Sequence, residues 1–468
     1  MSDRMIDTRI AGQTASVKVR MTYTEFLDES KMTGFLWFLL FGLSLAQLLD
    51  GMDYQCSSFA LPGIIKEFKI NSAQAGVIPS MTNIGLLIGA ILFPALCDGI
   101  GRKQIFQWVL VDYAFGTFLC AVAPSYNVLL IGRFIAGLGI GAQFPIVMAI
   151  LAEYSPKRLR HILVPVGPIF YAVGWIVIGF LSLWLIPSYG WRAVFWVGLL
   201  PAALAIFVRF YMPESIRFLL AHGKIEEAGK IANDLARRAG RTDIELVPPL
   251  EERQTKLTSR QQVVHLRSAS VVMFALSFFF FCHFLQTFGL GAWLPTVFMR
   301  QGFAMNKSFA FSMMCYAATP VALVIAIWWQ ERVNRKWALF GQIWGAALFF
   351  IIFGMSFQYR WPAYIMVGSQ IIQLLFSGGV AAVLYTMSAE LFPTPVRTLG
   401  MGIVNALGRL GAVLGPLFLG MFLHLSTSIA NIMYMFAIPP VIGAIVIVMA
   451  IKGDPRQKTL EQIAAERT

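Results

Sequence analysis

Charge is what this sequence has least of. Asp, Glu, Lys and Arg make up 13% of its 468 residues, about half the share of an ordinary soluble chain, while 57% are hydrophobic. Too few polar side chains remain to cover a water-facing surface, so the composition excludes a soluble globular protein and leaves a polytopic membrane protein. Cysteine is sparse as well. Cys56, Cys97, Cys120, Cys282 and Cys315 all sit in or beside apolar runs without metal-ligand spacing, which argues against a disulfide framework or a zinc site and for packing. No His-Glu-x-x-His, Gly-x-Ser-x-Gly or Walker sequence occurs, so neither an intramembrane enzyme nor direct use of ATP is expected. Gly137-Leu138-Gly139-Ile140-Gly141 has no strand before it and reads as a helix-packing surface, as does Gly411-x-x-x-Gly415. The first apolar run begins near Thr33, too late and too long for a cleaved signal peptide, so the tail before it is expected to stay.

What the chain does have is apolar runs. They fall at about 33–58, 73–97, 104–122, 127–152, 161–186 and 191–211, and again at 269–299, 308–330, 337–357, 361–388, 396–424 and 428–451. This predicts an amino-terminal tail (1–32), a six-helix half (33–211), a linker (212–268), a second six-helix half (269–451) and a closing tail (452–468). With the amino terminus inside, cytoplasmic segments hold 28 of the 37 Lys and Arg, and the outer loops hold six. The positive-inside rule therefore places both tails and the linker in the cytoplasm. The net charge of +13 is topological, and nucleic-acid binding falls away as an explanation for it. Within the linker, Lys224 to Ala239 is patterned as a short amphipathic helix.

The two halves repeat each other. Asp98-Gly99-Ile100-Gly101-Arg102-Lys103 closes the second run and Glu331-Arg332-Val333-Asn334-Arg335-Lys336 the eighth, at an offset of 233. Glu153 with Arg160 follows the fourth run and Glu390 with Arg397 the tenth, at an offset of 237. Asp98, Arg102, Glu153, Arg160, Glu331, Arg335, Glu390 and Arg397 are thus expected to form a cytoplasmic gate of contacts that break as the halves rock. The expected fold is an all-α membrane protein of twelve transmembrane helices in two pseudo-symmetric halves, with a site between them near mid-membrane.

Several intramembrane polar residues mark that site. Asp50 and Asp53 lie at i and i+3 on one helix face, and a charge near the bilayer core costs at least about 2.5 kcal/mol, so the pair needs water, a cation, a proton or a partner. Counted from the ends of their apolar runs, Asp53 lies roughly 8 Å, Asp50 roughly 12 Å and Arg133 roughly 9 Å deep. The acids and the arginine then either exchange a proton as the protein moves or form a salt bridge tying the first and fourth helices together. The repeat offset carries Asp50 to His283 and Asp53 to Gln286 on the seventh helix. Arg409 has no acidic neighbour in its own helix, and its guanidinium would hold a substrate carboxylate bidentately unless an internal acid such as Asp112 does so first. Gln143, Gln286 and Asn405 are placed to orient a polar group. Tyr171, Trp175 and Phe288 are placed to face a ring, or to pack in a chain that is 14% aromatic.

The loop from Asp98 to Lys103 resembles the signature of the major facilitator superfamily, with Pro94 and Gly99 as departures. Arg133 with Gly137, Gly139 and Gly141, the Glu153-to-Arg160 loop and Pro213-Glu214-Ser215-Ile216-Arg217 resemble the branch of sugar porters and organic-acid symporters. Asp50-Gly51-x-Asp53 is similar to the motif of the aromatic acid:proton symporters, hydroxybenzoate and benzoate transporters among them, with Met52 where Phe is usual. That resemblance implies proton-coupled uptake of an organic, and specifically aromatic, carboxylate, with Asp50 and Asp53 coupling the protons. Arg133, Arg409, His283, Gln286, Gln143, Tyr171, Trp175 and Asn405 are the candidate binding residues. No cofactor or metal is expected beyond the proton as coupling ion. A monomer in the bacterial inner membrane is expected, with another small metabolite (dicarboxylate, sugar acid or sugar) as the alternative cargo.

Overall fold

Helices form where the apolar runs predict them. The computed structural model describes residues 19–164, 166–241, 243–248, 270–392 and 396–451. The first half contains α1 (Gly34–Phe68), α2 (Ser72–Ile100), α3 (Arg102–Ala121), α4 (Tyr126–Tyr154), α5 (Val166–Tyr189) and α6 (Arg192–Tyr211). The second contains α7 (Ser270–Arg300), α8 (Met305–Tyr316 continued by Ala318–Arg332), α9 (Arg335–Gln358), α10 (Ala363–Ser377 continued by Val380–Leu391), α11 (Arg397–His424) and α12 (Ile429–Ala450). Among the described residues, eleven helices are long and apolar enough to cross a membrane. The twelfth, α3, is diluted by Arg102, Lys103 and Asp112.

Side-chain caps set several starts: Thr33, Asn71, Ser125 and Ser428 each accept a backbone N–H from the first turn, a bond worth about 1 kcal/mol. The end of α1 corrects the sequence expectation. The expected run ends near residue 58, but the helix continues through Phe59, Ala60, Leu61, Ile64 and Ile65 to Phe68 and closes at Lys69 in the left-handed region (φ 51°). Its extension is held by Glu67, which accepts from Trp191 Nε1 and Arg192 Nη1, both at 2.7 Å. Asp50 and Asp53 therefore lie near the middle of a helix about 50 Å long.

In the first half α1 packs on α5, and α4 packs on α2 and α3. In the second α7 packs on α11, and α9 on α10 and α12. The halves meet through α2 with α11, α5 with α8, and α1 with α7. The first two pairs exchange when the halves are interchanged, so the repeat in the sequence is a pseudo-twofold in space. Glycine makes the crossings close. A Cβ on Gly51 would lie 1.9 Å from the Tyr171 carbonyl oxygen, and one on Gly411 would lie 2.0 Å from that of Phe281. Among the described residues, the hydrogen bonds tying the halves together lie away from the linker face: Ser80 Oγ donates to Val413 O (2.7 Å), Arg300 Nη2 to Ser72 Oγ (2.5 Å), and Gln55 Nε2 and Ser58 Oγ to Gly291 O (3.1 and 3.0 Å).

On the linker face the chain adds structure that the apolar pattern does not announce. β1 (Val19–Thr22) pairs in parallel with β2 (Ile244–Val247), Val19 opposite Ile244. A short helix, Tyr23–Glu29, follows behind a Thr22–Glu25 capping box, in which the Thr22 N–H and hydroxyl hold the Glu25 carboxyl below its usual range. The predicted linker helix is present as Ile225–Arg238. The remainder of the linker from 249, the closing tail and the side chain of Glu331 lie outside the described residues.

Candidate functional site

Asp53 is enclosed within the first half. Arg133 Nη1 donates to its Oδ2 at 3.0 Å and Thr117 Oγ1 to its Oδ1 at 3.1 Å. Arg133 Nη2 reaches the Asp53 carbonyl at 3.4 Å, Arg133 Nε donates to Thr82 Oγ1 at 3.0 Å, and the guanidinium lies over the Phe195 ring. Both partners are fully buried. The first, second, third, fourth and sixth helices thus converge on one ion pair, which is the salt bridge that depth counting allowed. Gly198, at the break in α6, leaves room for it: a Cβ there would lie 2.9 Å from Asp53 Oδ1.

Asp50, one turn away, differs in every respect but burial. It is 1% exposed, yet neither carboxylate oxygen has a hydrogen-bond partner among the described residues. Its charge reaches the hydroxyls of Tyr113 and Tyr171. Gln47, one turn toward the linker face, and Gln143 on α4 are also buried, with both amide atoms unpaired. An uncompensated carboxylate in such surroundings is stable only when neutral or when a ligand or water comes to it.

Across the interface, Arg409 has no ion-pair partner among the described residues, and its buried Nε has no acceptor. Its guanidinium lies within electrostatic reach of Tyr54, Tyr171 and Tyr385. Asp112, the rival partner, does not pair with it: Asp112 Oδ2 is itself unpaired. Asn405, one turn from Arg409, accepts from Tyr385 at 3.1 Å. His283 is buried against Phe279 with Nδ1 unpaired, and Gln286 Nε2 is unpaired as well.

The seam is a chain of rings. Phe288 meets Tyr54 at 5.7 Å, Tyr54 meets Tyr171 at 6.4 Å, Tyr171 meets Trp175 at 5.7 Å and Trp175 meets Tyr316 at 5.8 Å. Tyr171, Trp175 and Phe288 therefore lie where the two halves touch. Beside them a narrow cleft of about 30 Å³ is walled by Tyr54, Trp175, Gln286 and Phe288, and by Gln370, Gln373 and Ser377 of α10. His283, Gln143, Asn405 and Arg409 are not among the residues that wall this cleft. The α10 residues were missed by sequence reasoning. The signal was there: polar residues at i, i+3 and i+7 in an otherwise apolar run.

The linker-face residues also rearrange the expected partners. Arg102 pairs with Glu153, which also accepts from Ser215 Oγ at 2.6 Å, and Arg335 pairs with Glu390 at 2.6 Å. These two pairs are equivalent under the repeat, and each joins two helices of one half. Arg160 does not take Glu153 as its partner but reaches Asp28 of the amino-terminal helix at 2.6 Å. Asp98 is exposed. Arg397 begins α11.

Comparison with known proteins agrees with this architecture. The family described as sugar (and other) transporter matches residues 15–466. The chain belongs to that family. It is a major facilitator transporter, a multi-pass membrane protein and not an enzyme. It is 31% identical to the niacin transporter NiaP of Acinetobacter baylyi over 92% of this chain and 96% of that one. It is 27% identical to the benzoate transport protein of the same organism, over 90% and 92%. In structure it is similar to the partially occluded inward open conformation of the xylose transporter XylE from E. coli, with a TM-score of 0.72, 18% identity, and coverage of 92% of this chain and 100% of that one.

Proposed function

We propose that this transporter carries a small aromatic carboxylate into the cell together with protons, by alternating access. Asp50, buried without a partner one turn from a satisfied Asp53–Arg133 pair, carries the reading. A group in that position takes a proton in one conformation and gives it up in another, while Asp53 stays matched to Arg133 and sets the local field. Arg409 is the counter-charge for the substrate carboxylate, and the ring seats against Tyr54, Tyr171 and Trp175. His283, Gln286, Gln143 and Asn405 supply orienting hydrogen bonds.

The direction follows from electrostatics. An anion entering against an inside-negative potential is opposed by about 2.3 kcal/mol per charge per 100 mV, and more than one co-moving proton reverses that opposition. The excess of Lys and Arg on the linker face supports placing both tails and the linker in the cytoplasm of a bacterial inner-membrane protein. The protein works as a monomer, with the proton as coupling ion and no other cofactor. The outer contacts at Gly291, Val413 and Ser72 open, and the linker-face loops meet, when the halves rock to face outward.

The test is uptake of labelled benzoate-type acids, nicotinate, dicarboxylates and sugars into proteoliposomes with and without an inward proton gradient. Gradient-driven accumulation of an aromatic acid is expected. Accumulation confined to aliphatic acids or sugars would overturn the substrate class, and accumulation indifferent to the gradient would overturn the coupling.

A further inference from the structure

Lys103 and Lys336 are equivalent under the repeat and stand in the first turns of α3 and α9. α3 packs antiparallel to α6, and α9 to α12, so each lysine lies at the linker-face end beside the last turn of its neighbour. In the second half the lysine is satisfied there: Lys336 Nζ donates to Ile451 O, just past the end of α12, at 2.9 Å. In the first half the last turn of the neighbour carries a cation of its own. α6 ends at Tyr211 and α12 at Ala450, so Arg209 stands where the second half has Val448.

The Lys103 ammonium lies within electrostatic reach of the Arg209 guanidinium, and neither forms an ion pair among the described residues. Glu214 is within reach of Lys103 as well. Its carboxylate, however, accepts from the backbone N–H groups of Arg102 (3.0 Å), Lys103 (3.2 Å) and Ser215 (2.9 Å) and so is bound to the start of α3. One acid against two cations leaves positive charge in excess, and like charges held side by side repel unless an anion joins them.

The surroundings say which anion. Arg209 is exposed and shares a helix face with Ile206, three residues before it, and with Phe210, which are 62% and 75% exposed. At the same end of α6, Tyr211 meets Phe38 and Phe207 in a cluster of rings, the aromatic edge that marks a headgroup layer. A free phosphate ion would answer the cations and leave the apolar face bare. A phospholipid answers both, with its phosphate between the cations and its acyl chains along Ile206 and Phe210. A zwitterionic headgroup would bring an ammonium to a patch already in cationic excess, so the headgroup that fits is net anionic.

We propose that the linker-face end of α3 and α6 binds an anionic phospholipid, its phosphate held between Lys103 and Arg209. The second half has no counterpart, because Lys336 is taken by Ile451 O and no second cation stands at Val448.

The test is native mass spectrometry of the purified full-length protein titrated with dioleoyl phosphatidylglycerol or phosphatidylethanolamine, with inorganic phosphate as competitor. The unmodified chain is compared with Lys103→Gln, Arg209→Gln, the double variant, Lys103→Arg and Lys336→Gln, and the thermal midpoint of each is recorded. The unmodified protein should bind its first phosphatidylglycerol at least about fivefold more tightly than phosphatidylethanolamine. Each neutralised cation should weaken that binding about fivefold and the double variant about thirtyfold, while Lys103→Arg and Lys336→Gln should leave it unchanged. Phosphatidylglycerol held no more tightly than phosphatidylethanolamine, or held as well by the double variant, would overturn the site. An equal loss in Lys336→Gln would overturn its restriction to the first half, and displacement by inorganic phosphate at equal concentration would overturn a lipid as the occupant. The headgroup comparison needs no variant, so it decides the matter even where a substitution unfolds the protein.

Discussion

At equivalent turns of the repeat, α1 carries Asp50 and Asp53 while α7 carries His283 and Gln286. In the first half the charge is largely balanced where it stands: Asp53 holds Arg133 and Thr117, and Arg133 holds Thr82. In the second half the same frame presents neutral groups with open hydrogen-bonding atoms and one arginine, Arg409, without an ion-pair partner among the described residues. The difference teaches a division of labour. One half keeps a preassembled ionic unit beside a lone acid and the open amides of Gln47 and Gln143, and the other, in the same frame, has no such ionic unit but open polar groups and Arg409.

The sharpest way to break the contrast is to unpair the ionic unit. Arg133→Met leaves a buried carboxylate without a partner and should cost about 3–5 kcal/mol, read as a fall in the thermal midpoint in detergent. Adding Asp53→Asn should recover most of that loss; equal instability of single and double variants would show that Arg133 acts by packing alone. Next in size is Arg409→Ala. Losing a charge-assisted bond should raise the KM of a carboxylate substrate by about tenfold to a hundredfold with the fold intact, and an unchanged KM would remove Arg409 from the substrate site.

The symmetry of the halves can be tested by filling their crossings. Gly51→Ala and Gly411→Ala each push a Cβ to about 2 Å from a carbonyl oxygen of the facing helix, and each should destabilise by about 1–3 kcal/mol. A large cost in one half alone would deny the equivalence. The smallest effect belongs to Arg160→Ala, which releases the half-exposed Asp28 contact. It should lower stability by under about 1 kcal/mol, and a larger drop in the thermal midpoint would make the amino-terminal segment a major brace.

Much of this was legible in the chain because membrane helices announce themselves by length and composition, and because duplicated loops betray duplicated halves. The Asp53–Arg133 pair could be found from residue rise along two helices. The extension of α1 to Phe68 was missed although Phe59, Ala60, Leu61, Ile64 and Ile65 are apolar; Pro62 and Gly63 interrupt the pattern, and the end of the helix is held by Trp191 and Arg192, more than a hundred residues away. The β1–β2 pairing joins segments 225 residues apart and leaves no local trace. Glu153 and Arg160 looked like partners by proximity in sequence, but Arg102 and Asp28 approach them from other elements. The polar residues of α10 were hidden among many aromatic and apolar residues, where three polar side chains drew less notice than a charge does.

The division of labour depends most on Asp50. The decisive measurement sets gradient-driven accumulation of an aromatic acid against substrate exchange at equal pH, in proteoliposomes carrying Asp50→Asn. The account predicts that exchange persists, that thermal stability is unchanged because no partner is lost, and that the proton gradient no longer drives accumulation. Accumulation by Asp50→Asn matching that of the unmodified protein would contradict it.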